Sequence, residues 1–455
     1  MGSTTTVTGG TATLTVNDGT TYQTFDGFGG AFNEKGWNYL QMLSPADRAT
    51  AMNLLFDWTN GAHFVFGRIP IGANDYAMSR YTEDDTANDY GMTSFSISRD
   101  QQYVIPYVQA ALAINPNVEL WGSPWTPPAW MKVNGNSPSS DGNPDDGGNM
   151  SSSAQILQAY ALYQAKWVQA YAALGLKISV IMPQNEPNYA TGYPSCLWAP
   201  DLYDQFVAQY LGPEFASQNV GAQIFLGTMS CQSGCETNDP NTDPDIITAV
   251  TGDSSAMKYI EGFGMQWNVI GDVAGLTKYN LPIWQTEHRC GNYPWGGETT
   301  IVNVGSAPVN ITYNSSTAPN DFNYALESFG NIGQWLLTGV NSYSAWNMVL
   351  DTAGLSMANW PQNALLTVDT GAGTLNITPA YYVFRHFSQF IAPGAVRVAT
   401  GGSSSFVSYA FKNPDGSHAL IMYNPNTSSV QTIASVAGKM IEFTVPANAF
   451  ATLKT

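Results

Sequence analysis

Between residues 22 and 347, short apolar runs alternate with longer stretches of helical spacing. The apolar runs lie at 22–32, 63–72, 118–125, 178–186, 222–229, 259–267, 281–287 and 340–347, and their length and composition read as strands. Of the intervening stretches, "SPADRATAMNLLF" opens with Ser44 as a cap and Pro45 at the first helical position. "QQYVIPYVQAALAI", "AQILQAYALYQAKWVQAYAAL" and "NYALESFGNIGQWLL" repeat their apolar residues at spacing near 3.6. Eight β runs alternating with helices predict a (β/α)8 TIM barrel. The interval between the sixth and seventh runs is too short for a helix of ordinary length. The "GFGG" of residues 27–30 is no dinucleotide fingerprint, because its glycines do not open a helix after a strand.

The two ends of the chain have a different texture. "TTTVTGGTATLTV" alternates small polar and apolar residues before a turn at "NDG". After residue 380, short strand-like runs are separated by turns at "NPDG" and "NPNT". An isolated strand needs a partner. The expected organisation is therefore a barrel over 22–379 and a β-sandwich side domain built from both termini, residues 1–21 with 380–455. Residues 134–153 and 292–320 read as long loops after the third and seventh strands, on the face where barrel active sites sit.

Composition narrows the partners. Charged residues are 11% of the 455, against about 25% in ordinary soluble domains, and Gly, Ser, Thr, Asn and aromatics take their place. Such a surface suits a secreted protein that meets neutral ligands. The net charge of −18 argues against nucleic acid and anionic membranes, which need clustered Lys and Arg. No apolar stretch reaches the roughly 20 residues of a membrane span. The opening "MGSTTTVTGG" lacks the apolar region of a signal peptide and reads as the start of a mature chain, so a secreted or extracytoplasmic location is expected from composition alone. The four cysteines allow three pairings. Cys196 with Cys231 or Cys235, and a tight Cys231–Cys235 bridge, are all open. A zinc site would need more ligands than one C-x3-C pair with no nearby His. "ANDYAMSRYTEDDTAND" lacks the regular spacing of a calcium loop and is expected to be a solvated loop.

The candidate chemistry lies at strand ends. The run 178–182 closes on Asn185-Glu186-Pro187, and the seventh run closes on Glu287. A carboxylate is costly to bury unpaired, so each needs a reason to be there. In a barrel, strands four and seven face each other across the mouth, and two carboxylates there could flank one bond. Glycoside hydrolysis needs this: one group protonates the leaving oxygen and the other attacks the anomeric carbon. Asn185, beside Glu186, would hold a sugar hydroxyl next to the reacting carbon. That assigns Glu186 as acid/base and Glu287 as nucleophile. No cofactor or metal is required, since these two groups suffice.

The blocks "FDGFGGAFNE", "RIPIGANDY", "WGSPWTPPAWMK", "PQNEP", "QTEHRC" and "AWNMVLD", in this order, resemble the signature blocks of glycoside hydrolase family 30, which includes the glucosylceramidases. The resemblance implies a barrel with a β side domain and retaining double displacement, and it matches Glu186 and Glu287 to the same two roles. It further implies that Asp75 binds sugar hydroxyls in the −1 subsite, that Arg68 supports the nucleophile, and that Trp125 and Trp346 line that subsite. Trp267 is the aromatic at the end of strand six, where the family more often shows His-Trp or His-Tyr; the Gln266 that precedes it departs from the pattern. His288 is expected to face the opposite side of its strand. The family's substrates include β-glucosides such as glucosylceramide and β-1,6-glucan, and also β-xylosides, β-fucosides and β-1,6-galactan. The "SPWTPPAWMK" and "AWNMVLD" blocks resemble the glucosidase side, so a β-linked glucoside or glucan is the expected substrate.

Overall fold

The structure, a computed structural model, describes residues 4–133, 143–231, 243–290, 299–304, 307–312, 320–402 and 405–455. All eight predicted runs are parallel strands of one closed barrel: Gly27–Ala31, Phe66–Ile71, Glu119–Pro124, Ile178–Ile181, Gln223–Met229, Ile260–Gln266, Ile283–Glu287 and Ser342–Asn347. They are called the first to eighth barrel strands below. Each pairs with its neighbours in sequence, and the eighth pairs with the first to close the ring.

The helices follow the spacing. Pro45–Phe56 starts where the Ser44 side chain accepts from the Asp47 amide. Val104–Ile114, Ala154–Ala173 and Phe322–Thr338 occupy the other three predicted stretches. Between the sixth and seventh strands only a four-residue α-turn, Val273–Leu276, stands between two 3-10 turns, as the short interval required. The helix after the eighth strand, Pro379–Ser388, turns Phe384 and Phe387 against Tyr343 and Phe28 of the barrel wall.

The barrel interior is plugged by Phe66, Trp121, Val180, Met182, Phe225 and Trp284. Trp284 meets Phe66, Phe225 and Trp121 at tilted or edge-on angles with ring centres 4.7–6.2 Å apart, geometry that favours aromatic pairs. The lower barrel is thus a solid core, and chemistry is confined to the mouth above it.

The termini share one eight-stranded sheet, with Thr5–Val7 and Leu14–Phe25 interleaved among six C-terminal strands. Leu14–Phe25 runs antiparallel to Ala395–Gly402, and Thr5–Val7 pairs with Lys439–Val445. An aromatic seam joins this sheet to the barrel: Phe329 of the helix Phe322–Thr338 packs on Tyr409, Tyr423 and Phe450.

Two loop expectations need correction. The stretch 292–320 is not structureless, because Thr299–Val304 and Ala307–Thr312 form a β-hairpin; within 134–153, Asn149–Met150 pairs with Lys132–Val133. The rest of both stretches lies largely outside the described residues. The acidic loop after the second strand is not fully solvated either. Glu83 and Asp84 are buried, and Glu83 accepts the Gly72 amide and the Tyr163 hydroxyl. Buried carboxylates demand such donors, and here they anchor the loop that carries Asp75.

Candidate active site

Arg68 is the organising residue. It sits near the middle of the second barrel strand, fully buried on top of the aromatic plug, with its guanidinium 5.1 Å from the Trp121 ring centre. Its Nη1 donates to Glu287 Oε2 at 2.6 Å and its Nη2 to Asn185 Oδ1 at 2.6 Å. Its Nε and Nη2 both reach Ser123 Oγ, at 3.1 and 3.0 Å. A guanidinium carries five donors in a rigid fork, so this one group fixes the ends of strands two, three, four and seven relative to one another.

Asn185 Oδ1 also accepts from Thr228 Oγ1 at 2.8 Å and Gln266 Nε2 at 2.9 Å. Three donors on one oxygen settle the orientation of the amide. Its NH2 is then turned away from the cluster. Gln266 Nε2 lies 3.2 Å from Glu287 Oε2 as well. Among the described residues, Oε2 of Glu287 thus takes the Arg68 and Gln266 donors, and Oε1 takes neither.

The acidic partner, Glu186, is held by its backbone. Its N–H donates to the Thr228 carbonyl at 3.0 Å, and its carbonyl accepts from Tyr189. Its φ is +47°, the left-handed region that a non-glycine residue enters at a cost of order 1–3 kcal/mol. Strain of this kind persists where the surroundings over-determine a side-chain direction. The Tyr193 hydroxyl lies 3.4 Å from Glu186 Oε2.

Asp75, Glu186 and Glu287 are 4, 4 and 9% exposed. Three carboxylates thus crowd a dry mouth, and Arg68 is in direct contact with Glu287. Burial, then the Glu186 charge beside it, pushes Asp75 up to about 7. Burial likewise pushes Glu287 up to about 8, opposed by Arg68 and reinforced by Glu186 and Asp75. The sign for stability follows. Asp75 stays protonated in the folded chain up to about pH 7 but ionises near its ordinary 3.8 when unfolded, so it lowers stability progressively as pH rises between those values. Asp75→Asn is therefore expected to match the wild type in thermal unfolding near pH 4. At pH 8 it should exceed the wild type by on the order of 1–4 kcal/mol. A variant less stable at both pH values would sink this reading.

The expected site residues come together with one exception. Trp125 and Trp346 stack on each other with centres 5.2 Å apart, and both lie against Arg68, at 4.3 and 5.2 Å. Each is only 2% exposed, so they wall the site rather than offer a free ring face. Trp267 differs: it is half-buried, with the Arg289 guanidinium 5.5 Å from its ring centre. The side chain at that strand end which reaches the carboxylates is Gln266, the residue that departs from the family pattern. Ser123, Thr228 and Tyr193 also join the site without having been singled out. Their signal was available, because Ser123 and Thr228 are polar residues closing apolar runs, as the glutamates are.

His288 faces away from the mouth. Its Nδ1 meets the Tyr343 hydroxyl at 2.5 Å and its Nε2 meets Ser328 Oγ at 3.1 Å; burial pushes its pKa down to about 3. Cys196 is a buried thiol that burial pushes up to about 12, so the bridges drawn from Cys196 do not form. Cys235 lies outside the described residues. Among the described residues no helix is long and apolar enough to cross a membrane.

The comparisons with known proteins agree with this geometry. The profile of the glycosyl hydrolase family 30 TIM-barrel domain matches residues 25–391, and that of the family 30 beta sandwich domain matches residues 394–453. Putative glucosylceramidase 1 of Caenorhabditis elegans is 28% identical, over 98% of this chain and 83% of that protein. Endo-1,6-beta-D-glucanase neg1 of Aspergillus fumigatus is 26% identical, over 90% and 81%. The solved structure of the endo-beta1,6-glucanase BT3312 superposes with a TM-score of 0.79 at 24% identity, over 97% of this chain and 93% of that one. With both domain profiles matched in order, and paired carboxylates at the strand ends, the chain belongs to glycosyl hydrolase family 30 and is a glycoside hydrolase.

Proposed function

We propose that the protein is a retaining β-glycosidase acting on β-D-glucosidic bonds, of the β-1,6-glucan or glucosylceramide type. The observation that carries the mechanism is the unequal treatment of the two glutamates. Arg68 and Gln266 hold Glu287 by one oxygen, and the Arg68 charge opposes the rise that burial imposes, which favours the ionised form a nucleophile needs. Glu186 is met by the Tyr193 hydroxyl and held by its strained backbone, which suits a group that must give and take a proton.

In the first step Glu287 Oε1 attacks the anomeric carbon, and Glu186 gives its proton to the glycosidic oxygen as the C–O bond breaks. The aglycone leaves and a glycosyl ester of Glu287 remains. In the second step Glu186, now ionised, takes a proton from water. The water oxygen attacks the same carbon, the ester bond breaks, and Glu287 is regenerated. Two inversions leave the β configuration. Asp75 and the Asn185 amide NH2 hold sugar hydroxyls, Arg68 sustains the nucleophile, and Trp125 and Trp346 shape the pocket. Trp267 contributes at its rim.

The glucoside preference is supported by relatives named glucosylceramidase and endo-1,6-beta-D-glucanase. The test is hydrolysis of aryl β-glucoside, xyloside, fucoside and galactoside, with the first anomer followed by NMR. Turnover of the glucoside with β-glucose released first is expected. Release of the α-anomer would break the mechanism; activity confined to another sugar would overturn the substrate.

A secreted or extracytoplasmic location is proposed as well, on the low charge density. We also propose a disulfide that includes Cys231, with Cys196 and Cys290 left as thiols.

A further inference from the structure

The fourth and eighth barrel strands are diametrically opposite in the ring, yet the loops that leave them touch. Tyr193, seven residues past Glu186, meets Trp360 edge-on with ring centres 5.6 Å apart. Trp360 belongs to the segment 352–363, which returns over the mouth after the eighth strand.

That segment is fastened along its length. The Met357 N–H donates to the Asp75 carbonyl at 2.8 Å. The Tyr76 hydroxyl reaches the carbonyls of Gly354 at 2.7 Å and Trp360 at 3.3 Å. Lys35 Nζ donates to the Leu355 carbonyl at 2.7 Å. Beneath it, Asn74, Asn33, Asn347 and Gln362 form a chain of side-chain hydrogen bonds of 2.6, 2.9 and 2.8 Å. The segment also closes on itself, through Ser356 N–H to Trp360 O and Gln362 N–H to Gly354 O. Met357, Ala358 and Trp360 pack on the cluster that contains Tyr76, Trp125 and Tyr193. So many tethers make this a fixed wall, not a flap.

We propose that this wall makes the sugar pocket blind, so that the enzyme takes only the terminal, non-reducing β-glucosyl unit of its substrate and works from chain ends. The inference rests on the reading of Asp75, Glu186 and Glu287 given above. A glucosyl ring with its anomeric carbon between the two glutamates turns its far hydroxyls to Asp75. The carbonyl of Asp75 is bonded to the wall. A second sugar attached at that end of the ring would have to occupy the volume of Met357, Ala358 and Trp360. Among the described residues, extension is open on the leaving-group side alone.

The experiment compares 4-nitrophenyl β-glucoside with the β-cellobioside and β-gentiobioside, whose extra glucose sits at the 4- or 6-hydroxyl. The expected result is turnover of the glucoside with no intact cellobiose or gentiobiose released; any glucose from the disaccharides should leave the terminal end first. Release of intact disaccharide within tenfold of the glucoside rate would overturn the blind pocket while leaving the glucosidase reading intact. Failure on the glucoside itself would remove that reading, and this one with it. Trp360→Ala, which takes the ring out of the wall, is expected to raise disaccharide release at least tenfold relative to glucoside turnover. An unchanged ratio in a folded variant would overturn the part assigned to Trp360.

Discussion

Glu287→Ala is expected to lower kcat on an aryl β-glucoside by at least about 10⁴-fold, as loss of a covalent nucleophile does in other hydrolases. Azide should then separate the two glutamates. In Glu287→Ala the anion fits the space left by the carboxylate and attacks the anomeric carbon from that face. One N–C bond forms, the bond to the aryl oxygen breaks, and the product is the α-glucosyl azide. In Glu186→Ala the nucleophile is intact. An activated aryl leaving group needs little protonation, so the glycosyl ester of Glu287 accumulates. Azide needs no general base, attacks the ester from the opposite face and gives the β-glucosyl azide after two inversions. NMR of the products decides the matter: exchange of the two anomers between the variants would reverse the assigned roles, and turnover near wild type in either would remove that residue from the mechanism.

The second large effect concerns Arg68. Its ion pair with Glu287 is 2.6 Å long, with the guanidinium wholly buried and the carboxylate nearly so. Removing one partner of a buried pair leaves an uncompensated charge and costs roughly 3–5 kcal/mol, against about 0–1 for an exposed pair. Arg68→Met is therefore expected to lose several kcal/mol of stability above about pH 8, where Glu287 is ionised, together with most activity. The stability loss should shrink on acidification, because protonating Glu287 discharges the group left behind. The loss of activity should not recover, because a protonated Glu287 cannot attack. Chemical denaturation at two pH values reads the first part. A pH-independent loss would mean that Arg68 matters for packing alone.

Both effects trace to strand ends, which is where the sequence was most legible. Each barrel strand is an apolar run bounded by turn-forming residues, so eight runs could be located without knowing how they meet. The carboxylates stood out because a charge closing such a run is anomalous. Gln266 shows the limit. A neutral amide at a strand end carries little desolvation penalty, so it attracts no notice until the fold sets it 3.2 Å from Glu287 and 2.9 Å from Asn185. Trp125 and Trp346 were found as site residues, but their mutual stacking depends on the approach of strands three and eight and could not be read from either. The contact of Tyr193 with Trp360 joins loops 167 positions apart by number, and nothing local predicts it. The buried state of Glu83 was missed for the same reason, since its partner Tyr163 lies on a helix 80 residues away.

The strand Leu14–Phe25 lies against Ala395–Gly402, and this has a consequence for how the chain is made. Phe25 leaves the ribosome some 370 residues before its partner Ala395. At about 5–20 residues per second that is a wait of roughly 20–75 s. During that interval the whole barrel can close while Leu14–Phe25 remains without its sheet, an unpaired edge free to seek other strands. Strands translated late thus secure one translated early, and a nascent chain stalled before residue 395 would hold the barrel strands yet leave Leu14–Phe25 exposed.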